Sequence, residues 1–312
     1  MGILKHLWMA HIPVLVNEVL ELLKPKDEER VLDCTFGGGG HTKAILNSAN
    51  CSVCAIDRDP DAKERASELK LKYQGRFDFK LDKFSNLPNV FGESKKFDAV
   101  LFDLGISSFQ IDNSERGFSF SKDARLDMRM SKEGISAYDV VNTFSEKDLA
   151  DILWTYGDET RSRKIAFEII SSRKLKPIET TIQLANIVRK ATNSSFVMKK
   201  YSKVDVATKT FQAIRIFVND ELREISIALE NLPKILNDKA RIALISFHSL
   251  EDRLVKNWAK SKRTSIIPIN SSVIKPNSDE ISLNPRARSA ILRGFWYDKH
   301  GSRCEESGGK IE

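Results

Sequence analysis

Cysteine is scarce. The 312 residues include four, Cys34, Cys51, Cys54 and Cys304, too few to form a disulfide framework in a chain of this size. Cys51-Ser52-Val53-Cys54 has redox or zinc spacing, but it falls on a predicted strand with no matching ligand pair nearby. Strand-packed thiols are the reading, and no metal-binding residues are assigned. No apolar run approaches the length needed to span a bilayer. The segment from Met1 to Val16 holds one lysine, two histidines and Pro13 but no arginine, unlike a signal or transit peptide. A cytoplasmic location is therefore expected. No internal repeats are visible. Acidic residues are the minority charge, 43 against 50 basic, for a net charge of +7 and a pI near 9.1. That excess suggests a polyanionic partner. The hydrophobic content of 41% is ordinary for a globular chain, and the length allows one large or two modest domains.

The most informative segment runs from Val31 to Thr42. An apolar strand, Val31-Leu32-Asp33-Cys34, leads through Thr35-Phe36 into four glycines, Gly37 to Gly40, and then into a helical pattern. Glycines at such a turn permit positive φ and let a ligand approach the backbone. The helix beyond them presents N–H groups with no helical partner. A second strand ends in Asp57, the kind of carboxylate that pairs with ribose hydroxyls. The order strand, glycine turn, helix, strand, acid points to a nucleotide-type cofactor. The dinucleotide fingerprint G-x-G-x-x-G fits poorly: its third glycine would fall at Thr42 or Lys43. A smaller adenosine-bearing ligand such as S-adenosylmethionine fits better.

The first hundred residues alternate helix and strand. Helices are predicted over Val14–Leu23, Thr42–Leu46 and Pro60–Lys72, and strands over Arg30–Cys34, Ser52–Ile56, Phe77–Leu81 and Phe97–Asp103. Such alternation predicts a parallel sheet with helices on both faces, the ligand lying beyond the carboxyl ends of the strands. There Gly37 to Gly40, Asp57 and Asp103 would converge. From Asp112 to Val206 the periodicity is helical. Ser145 and Asp148 read as a capping box before a helix that Gly157 closes, and Leu184, Ile187, Val188 and Ala191 mark another. A long amphipathic helix is predicted from Ala207 through Phe211, Ile214, Val218, Leu222, Ile225 and Leu229. Strand character returns at Ala240–Phe247, and the tail after Ser302 reads as frayed. The expectation is a discontinuous Rossmann-like α/β domain, residues 1–111 and 207–312, interrupted by an all-helical domain over 112–206.

Within that insertion, the stretch from Arg161 to Lys203 carries eleven basic residues against Glu168 and Glu179. Among them are Lys199, Lys200 and Lys203. The stretch reads either as a solvated helix face or as a surface for phosphates.

Ten ordered segments go further. They begin with His11-Ile12-Pro13-Val14-Leu15, the turn from Thr35 to His41 and Ile56-Asp57-Arg58-Asp59. Asp103-Leu104-Gly105-Ile106-Ser107-Ser108 with Gln110, Arg116-Gly117-Phe118-Ser119-Phe120 and Leu126-Asp127-Met128-Arg129-Met130 follow. Tyr156-Gly157-Asp158-Glu159, Thr210-Phe211-Gln212-Ala213-Ile214-Arg215-Ile216, Ser246-Phe247-His248-Ser249-Leu250-Glu251-Asp252-Arg253 and Asn284-Pro285-Arg286-Ala287-Arg288-Ser289 complete the series. Together they resemble the bacterial small-subunit ribosomal RNA cytosine-N4 methyltransferase family. The resemblance implies a class I methyltransferase sheet, S-adenosyl-L-methionine as cofactor, and an inserted helical domain that recognises substrate. It implies methylation of cytosine N4 in the decoding region of 16S ribosomal RNA, with the assembled small ribosomal subunit as partner. By matching positions, Gly39, Gly40, His41, Asp57, Phe84, Asp103 and Gln110 line the cofactor. This sequence departs from the pattern at Asp205-Val206, Phe109 and Ala124-Arg125.

Methyl transfer from a sulfonium is an in-line displacement in which orientation supplies much of the catalysis. The amine of cytosine is a weak nucleophile, so an acceptor for its N–H proton helps. Asp103 can fill that role or can bind the cofactor's amino group. His248 is a second candidate, as a base, an RNA contact or a helix cap. Phe84 can pack on adenine or belong to the core. Phe118 and Phe120 can stack on a flipped base or anchor a loop. Carbon-5 methylation needs a cysteine nucleophile, and none lies in the Asp103 motif or near His248. Two other classes remain, a nicotinamide dehydrogenase using the same turn and a non-catalytic RNA-binding factor on the same fold.

Overall fold

In the computed structural model, residues 13–94, 96–192 and 205–301 are described. His11, Ile12, Lys199, Lys200, Lys203, Cys304 and the tail after Ser302 lie outside them. Seven strands are present among the described residues: β1 (Arg30–Asp33), β2 (Ser52–Asp57), β3 (Phe77–Leu81), β4 (Phe97–Asp103), β5 (Leu236–Ser246), β6 (Ile266–Pro268) and β7 (Ile291–Tyr297). The helices are α1 (Val16–Leu23), α2 (Gly40–Ser48), α3 (Ala62–Lys72), α4 (Leu87–Phe91), α5 (Ser108–Asp112), α6 (Ala137–Thr143) and α7 (Glu146–Gly157). They continue with α8 (Ser162–Arg173), α9 (Thr181–Ala191), α10 (Thr208–Asn219), α11 (Glu221–Asn231), α12 (Ser249–Ser261) and α13 (Ser278–Leu283).

The chain forms two compact units, one ending at Gly105 and resuming at Glu224, the other spanning Ile106–Arg223. The first is a Rossmann-like α/β unit. Its sheet has the order β3-β2-β1-β4-β5-β7-β6. The five strands from β3 to β5 are parallel, but β7 runs antiparallel to both β5 and β6, so the expected parallel sheet is mixed. Alternate residues of β4 serve two cores. Ala99 and Leu101 pack on one face with residues of α1, α2 and α3. Val100 and Phe102 pack on the other with residues of α4, α11 and α12. Burial on both faces explains why these strands read as nearly continuous apolar runs.

The helical unit has its own core, including Leu126, Val140, Leu149, Ile165, Leu184, Phe211 and Ile214. Here α10, expected with the sheet, belongs to the helical unit instead. The long helix predicted from Ala207 is also broken. Asp220 adopts φ 51° between α10 and α11, so the apolar stripe serves one core before the break and another after it. Gly157 does not close α7; Asp158 does, in the left-handed conformation at φ 46°. A Cβ on Gly157 would lie 2.8 Å from the carbonyl oxygen of Lys209, so glycine is required there by the close approach of α10. Ser145 caps α7 as expected, its hydroxyl accepting from the Asp148 N–H.

Candidate active site

The parallel register carries three carboxylates to the carboxyl edge of the sheet. Asp33 ends β1, Asp57 ends β2 and Asp103 ends β4. Between β1 and α2 the glycine turn folds tightly, with Gly37 at φ 50° and Gly39 at φ 72°. A Cβ on Gly39 would also meet the Phe36 ring at 2.8 Å. That ring is held in turn by Phe77 and Phe79, at centroid distances of 5.7 and 5.2 Å. Packing and backbone conformation therefore both fix the turn.

Asp57 organises it electrostatically. Its Oδ2 accepts from the Gly37 N–H at 2.7 Å and its Oδ1 from the Asp59 N–H at 2.8 Å. Arg65 Nε donates to the Gly37 carbonyl at 2.9 Å from α3. Burial pushes the Asp57 carboxyl up to about 6, against the pull of these two backbone donors. Each oxygen keeps a second lone-pair direction, so the carboxylate can hold the turn and still accept from a ligand hydroxyl.

On the other side of the turn, Thr35 ties β1 to β4. Its N–H donates to Asp33 Oδ1 at 3.0 Å, and its hydroxyl oxygen accepts from the Asp103 N–H at 2.6 Å. Asp33 is buried and accepts from the Thr42 hydroxyl at 2.6 Å. Burial raises its pKa despite that bond and the nearby His41. His41, in the first turn of α2, is buried with Nε2 3.6 Å from Asp103 Oδ2. Neither ring nitrogen of His41, nor Asp103 Oδ1, has a hydrogen-bond partner among the described residues. Buried polar atoms left this way are costly, and a bound polar group would relieve them.

Comparison with known proteins identifies the family of the chain. The sequence profile of the MraW methylase family matches residues 8–297. Ribosomal RNA small subunit methyltransferase H of Rickettsia massiliae is 48% identical over 307 residues, covering 91% of this chain and 97% of that one. The protein of the same name from Rickettsia bellii is 47% identical over 302 residues, with the same coverage. The chain belongs to the MraW methylase family.

In this methylase the expected site residues divide between the two units. Gly39, Gly40, His41, Asp57 and Asp103 share the carboxyl edge of the sheet. Phe84 follows β3, half-buried, with its ring 5.8 Å edge-on from Phe102. The same stretch is tied to Asp57 by a bond from the Asp82 N–H to the Asp57 carbonyl at 3.0 Å. Gln110 lies in the helical unit. There it forms a capping box with Ser107, its Oε1 accepting from the Ser107 N–H at 3.0 Å. Phe118 and Phe120 pack with the helical core, Phe120 with its ring 4.6 Å from Phe211.

His248 caps α12. Its Nδ1 accepts from the Glu251 N–H at 3.4 Å, and its Nε2 lies 3.1 Å from Glu251 Oε1. Glu251 is fully buried and its Oε2 accepts from the Phe247 N–H at 2.7 Å. Sequence reasoning missed Asp33, Thr35 and Glu251 as parts of this edge. For the first two a signal existed, since a polar residue and an acid between an apolar strand and a glycine turn have few other uses. Glu251 carried the capping-box spacing from His248.

Proposed function

We propose that this chain transfers the methyl group of S-adenosyl-L-methionine to the exocyclic N4 of a cytosine in the decoding region of 16S ribosomal RNA, within the small ribosomal subunit. The observation that carries this reading is the pairing of His41 with Asp103 beside the glycine turn, whose buried polar atoms await a partner. The family membership and the names of the relatives supply the substrate class. Absence of a long apolar helix among the described residues raises no objection to it.

The residues fit the cofactor. Asp57 offers lone pairs to ribose hydroxyls, and Phe84 offers a partly exposed ring for an adenine face. The first turn of α2 presents N–H groups that no helical carbonyl reaches, at the positive end of the helix dipole, suited to a carboxylate. Bound there, S-adenosylmethionine supplies an electrophilic methyl on a sulfonium centre. Asp103 accepts an N–H. If that N–H is the cytosine amine's, the carboxylate orients the nitrogen lone pair and takes the proton as the N–C bond forms. If it is the cofactor's ammonium, Asp103 orients the donor instead. The capping geometry of His248 commits its Nδ1 to the backbone, which favours Asp103 as the acceptor.

The thiols support a nitrogen target. Cys34 is the cysteine nearest the turn in sequence, but it is buried in the core opposite α1. Burial raises its pKa well above the usual thiol range, and a thiol kept protonated is a poor nucleophile. The inserted helical unit, with its basic stretch from Arg161, is the proposed substrate-recognition domain. The test is mass spectrometry of nucleosides from small-subunit RNA treated with the purified protein. N4-methylcytosine is the expected product. Methyl on cytosine C5, on ribose or on adenine would overturn the assignment.

A further inference from the structure

The turn from Asn284 to Ser289 has no part in the proposed transfer, yet the sheet topology brings it to the same edge. Because β7 runs antiparallel to β5, its first residue pairs with the last of β5, Ile291 with Ser246. The segment entering β7 therefore lies at the carboxyl edge, where Asp33, Asp57 and Asp103 end their strands. A second link confirms the neighbourhood. The Leu15 N–H donates to Glu280 Oε1 at 2.7 Å, and Pro13, two residues earlier, lies 3.2 Å from where a Cβ on Gly40 would sit.

That turn is rigid and basic. Pro285–Ser289 is a 3₁₀ turn, capped by Asn284, whose side-chain oxygen accepts from the Arg286 N–H at 3.3 Å. Ala287 and Ala290 are buried in the sheet's core. Just beyond, Ile274 and Leu292 exchange backbone bonds of 3.0 and 2.9 Å. With about 120° of rotation per residue in such a turn, Arg286 and Arg288 splay to either side of the inward-facing Ala287. Both are exposed, and so is Lys275 on the chain leading in. On α13, Glu280 accepts from the Leu15 N–H.

We infer that Arg286 and Arg288 form a phosphate clamp for the RNA strand carrying the target base, a contact on the catalytic unit itself. The inference rests on the proposed function for its substrate. Guanidinium forks match phosphate oxygens in pairs, and a turn already fixed by its alanines loses little freedom on binding. A base turned out of folded RNA must be held by its flanking backbone, and exposed arginines at the carboxyl edge of the sheet suit that contact.

The experiment compares the wild-type chain with R286Q/R288Q and R286K/R288K, using small-subunit RNA particles as substrate. Each is measured for RNA affinity at several salt concentrations, for S-adenosylmethionine affinity by calorimetry, and for turnover. The glutamine pair should lose about tenfold or more in RNA affinity. Its log–log salt slope should shrink by roughly 0.7–0.9 for each phosphate released. The lysine pair should keep the slope and recover part of the affinity, since charge remains but the fork is gone. Cofactor affinity should be the same in all three. Unchanged RNA affinity and slope in the glutamine pair would overturn the clamp, as would an equal loss of cofactor affinity. Failure of the wild-type chain to methylate these particles would count instead against the proposed function.

Discussion

His41 Nε2 lies 3.6 Å from Asp103 Oδ2, joining the first turn of α2 to the end of β4 across the glycine turn. The pair is buried on the histidine side and a quarter exposed at the carboxylate, so the carboxylate is open to solvent at the edge of the sheet. This follows from two features of sequence, an acid at the end of an apolar strand and a histidine directly after the fourth glycine.

Asp103→Asn keeps the shape and removes the charge. Turnover measured with a labelled methyl donor should fall by about a hundredfold or more if the carboxylate accepts the amine proton. Calorimetry of the same variant separates the two roles. Unchanged cofactor affinity assigns Asp103 to the amine, whereas a matching loss assigns it to the cofactor. Wild-type turnover with wild-type affinity would remove it from the site.

The raised pKa of Asp57 predicts a pH dependence. Ordinary aspartate titrates near 3.8, whereas here burial holds the group at about 6. The ionised form is the better acceptor for ribose hydroxyls, so cofactor affinity should be flat above about pH 7. It should weaken, approaching tenfold per unit, as pH falls below 6. Binding near pH 6 should also release a proton, visible as a buffer-dependent heat. For stability the sign is opposite. A folded-state pKa above the unfolded value stabilises the fold below pH 3.8, and that contribution is lost as pH rises through about 6. Asp57→Ala should abolish the pH dependence of binding and cost about ten- to a hundredfold in affinity at pH 8. An unchanged affinity profile in that variant would detach Asp57 from the cofactor.

On the helical unit, Arg163 and Lys164 are exposed on α8 with Phe167, itself 55% exposed, and Lys174 is exposed at its C-cap. Replacing the three cations by glutamate should weaken RNA binding and flatten its salt dependence by roughly 0.7–0.9 per lost phosphate contact. Cofactor affinity should not move. An intact salt slope would show that this face is merely solvated.

Gly157→Ala tests the packing of α7 on α10. Its methyl would lie 2.8 Å from the Lys209 carbonyl oxygen and 3.1 Å from Ala213 Cβ, with no flexible side chain to yield. A loss of about 1–3 kcal/mol is expected from overpacking, despite alanine's better helix propensity. Denaturant unfolding followed by helical circular dichroism measures it. A neutral or stabilising result would mean the helices separate at little cost.

Much of this was readable in the chain. The strands β1 to β4 announce themselves because burial on both faces makes them apolar throughout, and the glycine turn because few other residues allow its backbone angles. The ends of the sheet were harder. β6 is three residues long, and β7 carries Arg293 and Gly294 in its middle, which blurs any strand pattern. Gly294 is there because a Cβ would lie 2.7 Å from a methyl of Leu22, a contact between segments some 270 residues apart. Arg293 is there because its guanidinium pairs with Asp252 at 2.7 Å, helping to hold that carboxyl below the usual range against the effect of burial.

By itself, then, the order of apolar strands, glycines and acids determined a Rossmann-like sheet and placed Asp57 and Asp103 at its carboxyl edge. Tertiary structure decided the rest. It broke one continuous amphipathic stripe at Asp220, because periodicity records that a face is buried but not which core buries it. It committed His248 to capping α12, and it reversed β7 to carry Arg286 and Arg288 to the carboxyl edge of the sheet. Hydrophobic pattern is a local property of the chain, whereas strand direction and the partners of polar side chains depend on residues that meet only after folding.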